Sequence, residues 1–303
     1  MSGLDTLLCR PEQEGFWSRL LREPAKVLAG YFYNHRATSD ILSTPDLPVH
    51  VVCISDTHNT QPDLPDGDIL IHAGDLTQSG SQRELQDQIA WLDSQPHRYK
   101  IVIAGNHELC LDSQLDGGNT NTAAIDWSSL IYLENTSTIV KFGNGREIKV
   151  FGSPYTPKHG NWAFQYPRTN AAIWEEISIP EDTDILITHG PPKAHLDLGH
   201  LGCLFLRRAL WEMKHRPLLH VFGHIHGGYG TEVALWDSFQ RAYEAVMDGD
   251  SKWVSLGFLV YFWILGLLTG WGTKDNQATV MVNAAAVGGV RDEKLRDAIC
   301  VDI

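Results

Sequence analysis

The sequence has no Cys-x-x-Cys pair, no internal repeat, no low-complexity linker and no surplus of positive charge. Its five cysteines (Cys9, Cys53, Cys110, Cys203 and Cys300) are an odd number, and Cys53 sits inside an apolar run. That pattern argues against a disulfide framework and fits free thiols in a reducing, cytoplasmic compartment. Lys and Arg number 24 against 37 Asp and Glu, a net charge of −13. A chain so acidic is not expected to bind long nucleic acid through a basic face. A small phosphorylated substrate stays open, because bound metal ions would dominate the field around it. The N-terminal stretch MSGLDTLLCRPEQEGFW has no charged region followed by a long apolar run, so no secretory signal is expected. Gly3 is not at position 2, which leaves no myristoylation signal.

What is present is an ordinary globular balance, 43% hydrophobic and 20% charged over 303 residues. That is enough chain for a full core, as one large domain or two small ones. From residue 49 the pattern runs strand, loop, helix. HVVCIS, DILIHAG, KIVIAG, REIKVFG, DILITHG and LHVFGH are short β-rich apolar runs. Between them, residues 81–94 predict an amphipathic helix with Ser81 as its cap and Glu84 three residues on. Residues 171–177 and 204–214 are further helix candidates, and residues 279–289 read as a last core strand. Strands alternating with helices predict a layered α/β domain over 49–303. Residues 1–48 precede it as a helical segment. There Phe16, Trp17, Leu20, Leu21, Val27, Leu28, Tyr31 and Phe32 fall at helical spacing, with Pro24 dividing two helices. That segment either packs on the domain or lies amphipathically on a membrane surface.

The strands end in metal-ligating side chains. VVCISDTH carries Asp56 and His58, HAGDL carries Asp75, and AGNHE carries Asn106 and His107. THGPP carries His189, and FGHIH carries His224 and His226. Carboxylate, amide oxygen and neutral imidazole suit Mn, Fe, Zn or Mg better than a soft thiolate site would. Two such ions about 3.5–4 Å apart can clamp a phosphoryl group during in-line attack, with one carboxylate bridging them. Gly74, Gly105, Gly152, Gly190 and Gly223 beside these groups permit tight turns. His195 and His200 follow the H-G-P-P loop and are weaker candidates for substrate contact. Tyr155, Trp162 and Phe164 are expected to shape a pocket mouth, and Asp112 and Asp116 to be solvated loop carboxylates.

The ordered set D-x-H, G-D, G-N-H-E, H-G-P-P and G-H-x-H, spread over residues 56–226, resembles the calcineurin-like metallophosphoesterase superfamily. The resemblance implies a four-layer sandwich, two mixed β-sheets flanked by helices, with metals at the strand ends. Carried over by motif, one metal takes Asp56, His58 and His226, and the other takes Asn106, His189 and His224. Asp75 bridges them. A bridging hydroxide attacks phosphorus, and His107 is the general acid for the leaving oxygen. The block GSPYTPKHGNWAFQY, residues 152–166, resembles the MPPED-type metallophosphoesterase-domain proteins more closely. Some of that subgroup lose the final His of G-H-x-H; here His226 is kept, so a full metal site is expected. One departure stands out. Many of the superfamily carry a second Asp three residues after the bridging one, where this chain has Gln78. That leaves Glu108 or a backbone carbonyl to orient His107. The resemblance favours a phosphodiester substrate. The alternatives are a lipid-like phosphate or diphosphate at a membrane, and a metal-bearing interaction module without catalysis.

The long hydrophobic run is residues 253–271, WVSLGFLVYFWILGLLTGW, without a charged residue and with a Trp at each end. Its length would span a bilayer, and terminal Trp residues suit interfaces. A crossing would put the strand after it on the far side from residues 49–226. The run is therefore expected to be an insert lying on one leaflet, giving a peripheral membrane contact. Burial against the N-terminal segment or a partner chain is the alternative. Nothing in the sequence sets the oligomeric state.

Overall fold

The computed structural model describes residues 15–36, 47–115, 125–269, 278–289 and 293–303. Asp116 and Trp271 lie outside the described residues. The chain falls into two compact units that interleave along the sequence. One comprises residues 1–43, 233–278 and 289–293. The other comprises residues 44–232, 279–288 and 294–303.

The larger unit holds two mixed sheets. The first is built on β1 (His50–Ile54), β2 (Ile69–Ala73), β3 (Tyr99–Ile103) and β4 (Ile131–Tyr132), all parallel. The second contains β5 (Thr136–Lys141), β6 (Glu147–Ser153), β7 (Ile185–Thr188), β8 (Leu219–Phe222), β9 (Gly230–Ala234) and β10 (Thr279–Asn283). β11 (Ile299–Asp302) returns antiparallel to β1, pairing Val51 with Val301. The orders are β11-β1-β2-β3-β4 and β9-β10-β8-β7-β6-β5. The six apolar runs of the sequence become β1, β2, β3, β6, β7 and β8. The stretch 279–289 is continuous strand to Asn283, with a further two-residue strand at Val287–Gly288; between them the chain crosses to the first sheet, where Ser55 N–H donates to the Ala284 carbonyl at 2.9 Å. β11 has too little apolar alternation to be visible in the sequence.

Alternation decides the layers. Val51, Cys53, Ile69, Ile71, Ile101 and Ile103 meet Val140, Ile148, Val150, Ile185, Ile187, Val221 and Val282 between the sheets. Val52, Ile54, Leu70 and Val102 point the other way, onto Leu85, Ile89 and Leu92 of the helix Gln82–Asp93. That helix starts where Ser81 and Glu84 predict: each side chain caps the other's backbone N–H. Helices Ile173–Ile177 and Leu204–Glu212 complete the elements that flank the sheets.

The smaller unit is helical. α1 (Phe16–Arg22) and α2 (Pro24–Asn34) are divided at Pro24, which sits at the first turn of α2, where its missing N–H is harmless. Tyr33 of α2 stacks on Tyr243 at 4.0 Å, within the helix Ser238–Asp248. Phe32 meets Trp263 edge-on at 5.2 Å. Trp263 belongs to the hydrophobic helix Lys252–Thr269, which buries only Leu256, Leu259 and Gly266.

Burial and capping make separable contributions. Ile89→Ala should cost about 2–5 kcal/mol, whereas Ser81→Ala should cost about 1 kcal/mol, read as shifts in the denaturant midpoint. Equal losses would contradict the layer assignment.

Candidate metal centre

The site forms where strand ends of the two sheets meet. Asp56 N–H donates to the Gly74 carbonyl at 2.9 Å, and Gly223 N–H to the His189 carbonyl at 2.9 Å. Just beyond the strands the backbone turns left-handed at Asp56 (φ 51°), His58 (φ 43°), Asp75 (φ 54°) and His224 (φ 64°). Such a conformation disfavours L-residues by about 1–2 kcal/mol each. Asp and His tolerate it better than most, and here it turns their side chains inward. Two glycines are required by close approach. A Cβ on Gly223 would run into the Asp56 carboxylate, and one on Gly105 into the Asp75 carboxylate.

The seven candidate ligands come together. Asp56 Oδ1 lies 3.0 Å from His226 Nε2, which is 3.4 Å from His58 Nε2. His189 Nε2 lies 3.3 Å from Asp75 Oδ2 and 3.1 Å from Asn106 Oδ1. His58 Nε2 is 3.9 Å from Asp75 Oδ2. The His189 and His224 ring centroids are 5.0 Å apart, and His224 N–H donates to both Asp56 oxygens. Three triads have donor atoms within 4.8 Å of one another: Asp56–His58–His226, His58–Asp75–His107 and Asp75–His189–His224. Asp75 is common to two of them, at the centre.

The donors fit divalent ions in chemistry and in charge. His58 Nδ1 donates to the Thr77 carbonyl at 3.2 Å and His189 Nδ1 to the Ala73 carbonyl at 2.9 Å. A carbonyl only accepts, so each neutral ring keeps its Nε2 lone pair for the centre. Burial works to raise the pKa of Asp56, but His226 and His189 outweigh it and hold the carboxyl below the usual range. Asp75 behaves likewise, held down by His189, His107 and His58. Burial would lower His189, yet Asp75 and Asp56 drive it up to about 9. His224, where burial dominates, falls to about 3. The two buried carboxylates thus draw positive charge into the cluster, the electrostatic signature of a cation site. The cluster is a binuclear divalent-metal site; its donor chemistry does not choose among Mn, Fe, Zn and Mg.

Supporting residues surround it, of which the sequence named Glu108 for another role and did not reveal Arg296 or Asn283. The buried Glu108 carboxylate accepts from the N–H groups of Asp75, Thr77 and Gly105 and from the Thr77 hydroxyl. Burial and the Asp75 charge raise its pKa to about 7, against the pull of the Thr77 and Gly105 N–H groups and the Thr77 hydroxyl. Glu108 therefore shapes the Asp75 turn and does not orient His107. His107 instead donates Nδ1–H to the Gln78 backbone carbonyl at 2.8 Å and stacks on Trp162 at 4.5 Å. The position that lacks the second Asp orients the imidazole with its backbone. Arg296 donates to the His226 carbonyl at 2.6 Å, with 3.3 Å contacts to the carbonyls of Ala285 and Val287. Asn283 donates to the carbonyls of Leu196 and Ile225. Glu108 lay within a known motif, so its burial was the missing signal; Arg296 and Asn283 carried none.

Other expectations need correction. Phe164 is buried in the core between the helix Gln82–Asp93 and the first sheet, and Tyr155 packs at its edge. Only Trp162 of the three aromatics stands over a site residue. Asp112 is buried, with its carboxylate accepting from Phe164 N–H at 2.8 Å. His195 is buried against the Glu232 carboxylate at 2.5 Å, and exposed His200 turns back to the Leu198 carbonyl. Neither joins a triad.

The calcineurin-like phosphoesterase profile matches residues 37–228. Metallophosphoesterase domain-containing protein 1 of Homo sapiens is 40% identical over 205 residues, 59% of this chain and 61% of that protein. A UPF0046 protein of Caenorhabditis elegans is 34% identical over 209 residues, 63% of this chain and 74% of that protein. A protein of Emericella nidulans described as probable rhamnogalacturonate lyase C is 66% identical over 301 residues. That match covers 99% of this chain but 29% of the relative.

Arg296→Ala should loosen the His226 loop and weaken divalent-ion binding about 10–100-fold, as loss of an outer-shell partner does. A chelator-competition titration measures it. Arg296→Lys should recover only part, since an ammonium lacks the planar guanidinium that lies over the Tyr229 ring at 5.0 Å; unaltered affinity in both variants would show that the loop holds itself.

Proposed function

The chain belongs to the calcineurin-like phosphoesterase family, and we propose that it is a metal-dependent phosphoester hydrolase that acts on phosphodiesters. In this reading Asp56, His58 and His226 hold one ion, Asn106, His189 and His224 hold the other, and Asp75 serves both. Bound there, divalent ions would acidify water and offset the charge of the phosphoryl oxygens. The chain's own part is proton delivery. His107 has one ring nitrogen fixed on the Gln78 carbonyl and its ring face on Trp162. Its remaining nitrogen is free to protonate a departing alkoxide, the step an unactivated diester needs.

The observation that carries the diester reading is the charge balance. The charges acting most strongly on Asp75 are those of histidines, and on Asp56 those of histidines and of Asp75, with no Lys or Arg among them. A monoester dianion without a guanidinium clamp would be held poorly, whereas a diester monoanion asks for less. The lyase named for the Emericella nidulans relative is not carried to this chain, since most of that protein lies outside the match.

A peripheral position on a membrane is part of the reading. Lys252–Thr269 is, among the described residues, the one helix long and apolar enough to cross a bilayer, and 17% of it is buried. β8 and β9, which precede it, and β10, which follows it, lie in one sheet, with β8 and β10 paired in parallel, which disfavours a crossing. A lipid-like natural substrate would show itself as faster hydrolysis of a micellar diester than of a soluble one.

Asp75→Asn should abolish turnover and lower the bound metal, measured together by activity and elemental analysis; full turnover would sink the scheme. His107→Ala should retain its metal while losing about 10²–10⁴-fold on a diester with an alkoxide leaving group. Its loss on bis-p-nitrophenyl phosphate should be much smaller. Loss of metal from the same variant would make His107 a ligand, as the His58–Asp75–His107 triad also allows. Wild-type preference for p-nitrophenyl phosphate over the diester would remove the phosphodiesterase reading.

A further inference from the structure

The hydrolase chemistry leaves the helical unit unexplained. α1 buries none of its seven residues. Trp17 is 73% exposed and Leu21 86%, with Phe16 beside them and Leu28 and Tyr31 exposed on α2. The helix Lys252–Thr269 exposes Trp253, Val254, Phe258, Tyr261, Ile264, Leu265, Leu267 and Leu268. At about 3.6 residues per turn these cover roughly half its circumference, opposite the buried Leu256, Leu259 and Gly266. A water-facing helix would be polar there.

Charge says what covers this face. The three helices carry Arg19, Arg22, Lys26 and Lys252 and no carboxylate; Glu23, at the junction of α1 and α2, pairs with Lys26 at 3.1 Å. This happens in a chain of net charge −13. Cations are thus concentrated among exposed aromatics and aliphatics, while the chain as a whole is acidic. A second copy docking by the same helices would set those cations against their own kind. An anionic phospholipid surface meets both features: its acyl boundary takes the apolar face, and its headgroup phosphates take the cations.

We propose that helices α1, α2 and Lys252–Thr269 together dock the protein on an anionic bilayer leaflet, without crossing it. The inference rests on the peripheral part of the functional reading and adds the charge of the lipid and the two N-terminal helices.

The test is flotation of the full chain with vesicles of phosphatidylcholine alone and of phosphatidylcholine mixed with phosphatidylserine, at low and high salt. Capture should be several-fold greater on the mixed vesicles and should fall with salt. An R19Q/R22Q/K26Q variant should lose the preference, by about fivefold in affinity per charge removed. A W17S/L21S variant should bind both vesicle types less, and both variants should hydrolyse a soluble diester at the wild-type rate. Equal capture on the two vesicle types would overturn the anionic-lipid inference while leaving the peripheral position intact. No capture on either, with a doubled mass in light scattering, would overturn both and make the face a contact between copies. Neither outcome depends on turnover, so the hydrolase reading is judged separately.

Discussion

Two carboxylates, Asp56 and Asp75, are buried together at the junction of two sheets, and the rest of the larger unit answers that constraint. Isolated buried carboxylates would shift their pKa values upward and neutralise. Here they are held ionised by imidazoles on four sides, and one of these, His189, is pulled toward its charged form in return. A cluster balanced by shared protons is only partly compensated, because His224 is driven the other way by the same burial. Divalent cations complete the balance without asking a histidine to choose between proton and ligand roles.

The backbone supports this at some expense. Left-handed residues at Asp56, His58, Asp75 and His224 persist because their surroundings over-determine them. Glu108 gathers the N–H groups of the Asp75 turn, Arg296 gathers carbonyls around His226, and Asn283 ties the same loop to the one at Leu196. Each bond satisfies a buried backbone group that a turn would otherwise leave unpaired. The core between Val51, Ile71, Ile103, Val221 and Val282 keeps the strand ends from drifting, so sub-ångström positioning at the site is inherited from sheet register.

The ligand blocks were legible in the sequence because each is a strand followed at once by a Gly-flanked polar group, a local pattern. The cap at Ser81 and the break at Pro24 were legible for the same reason. What was not legible depends on long-range contacts. β11 is a four-residue stretch too short to stand out until it pairs with β1, and Arg296 is an unmarked cation until the chain returns past His226. Asp112 looks like a loop carboxylate until Phe164 N–H, 52 residues away, donates to it. The orientation of His107 was half legible: Gln78 was visible as a missing carboxylate, but that its backbone carbonyl takes over was visible only in the turn.

Replacing that carboxylate by a carbonyl has a chemical consequence. A carboxylate partner stabilises the imidazolium and so makes its proton harder to give up; a neutral carbonyl orients the ring without that stabilisation. The Trp162 face restores some of what is lost, since a ring quadrupole attracts a cation stacked on it and excludes water from one side. His107 is therefore oriented by two neutral partners, the Gln78 carbonyl and the Trp162 ring, with the Asp75 carboxylate beside it. In the proposed role of general acid, this arrangement would serve a leaving group that needs a proton delivered, more than a centre that must stabilise a large excess of negative charge.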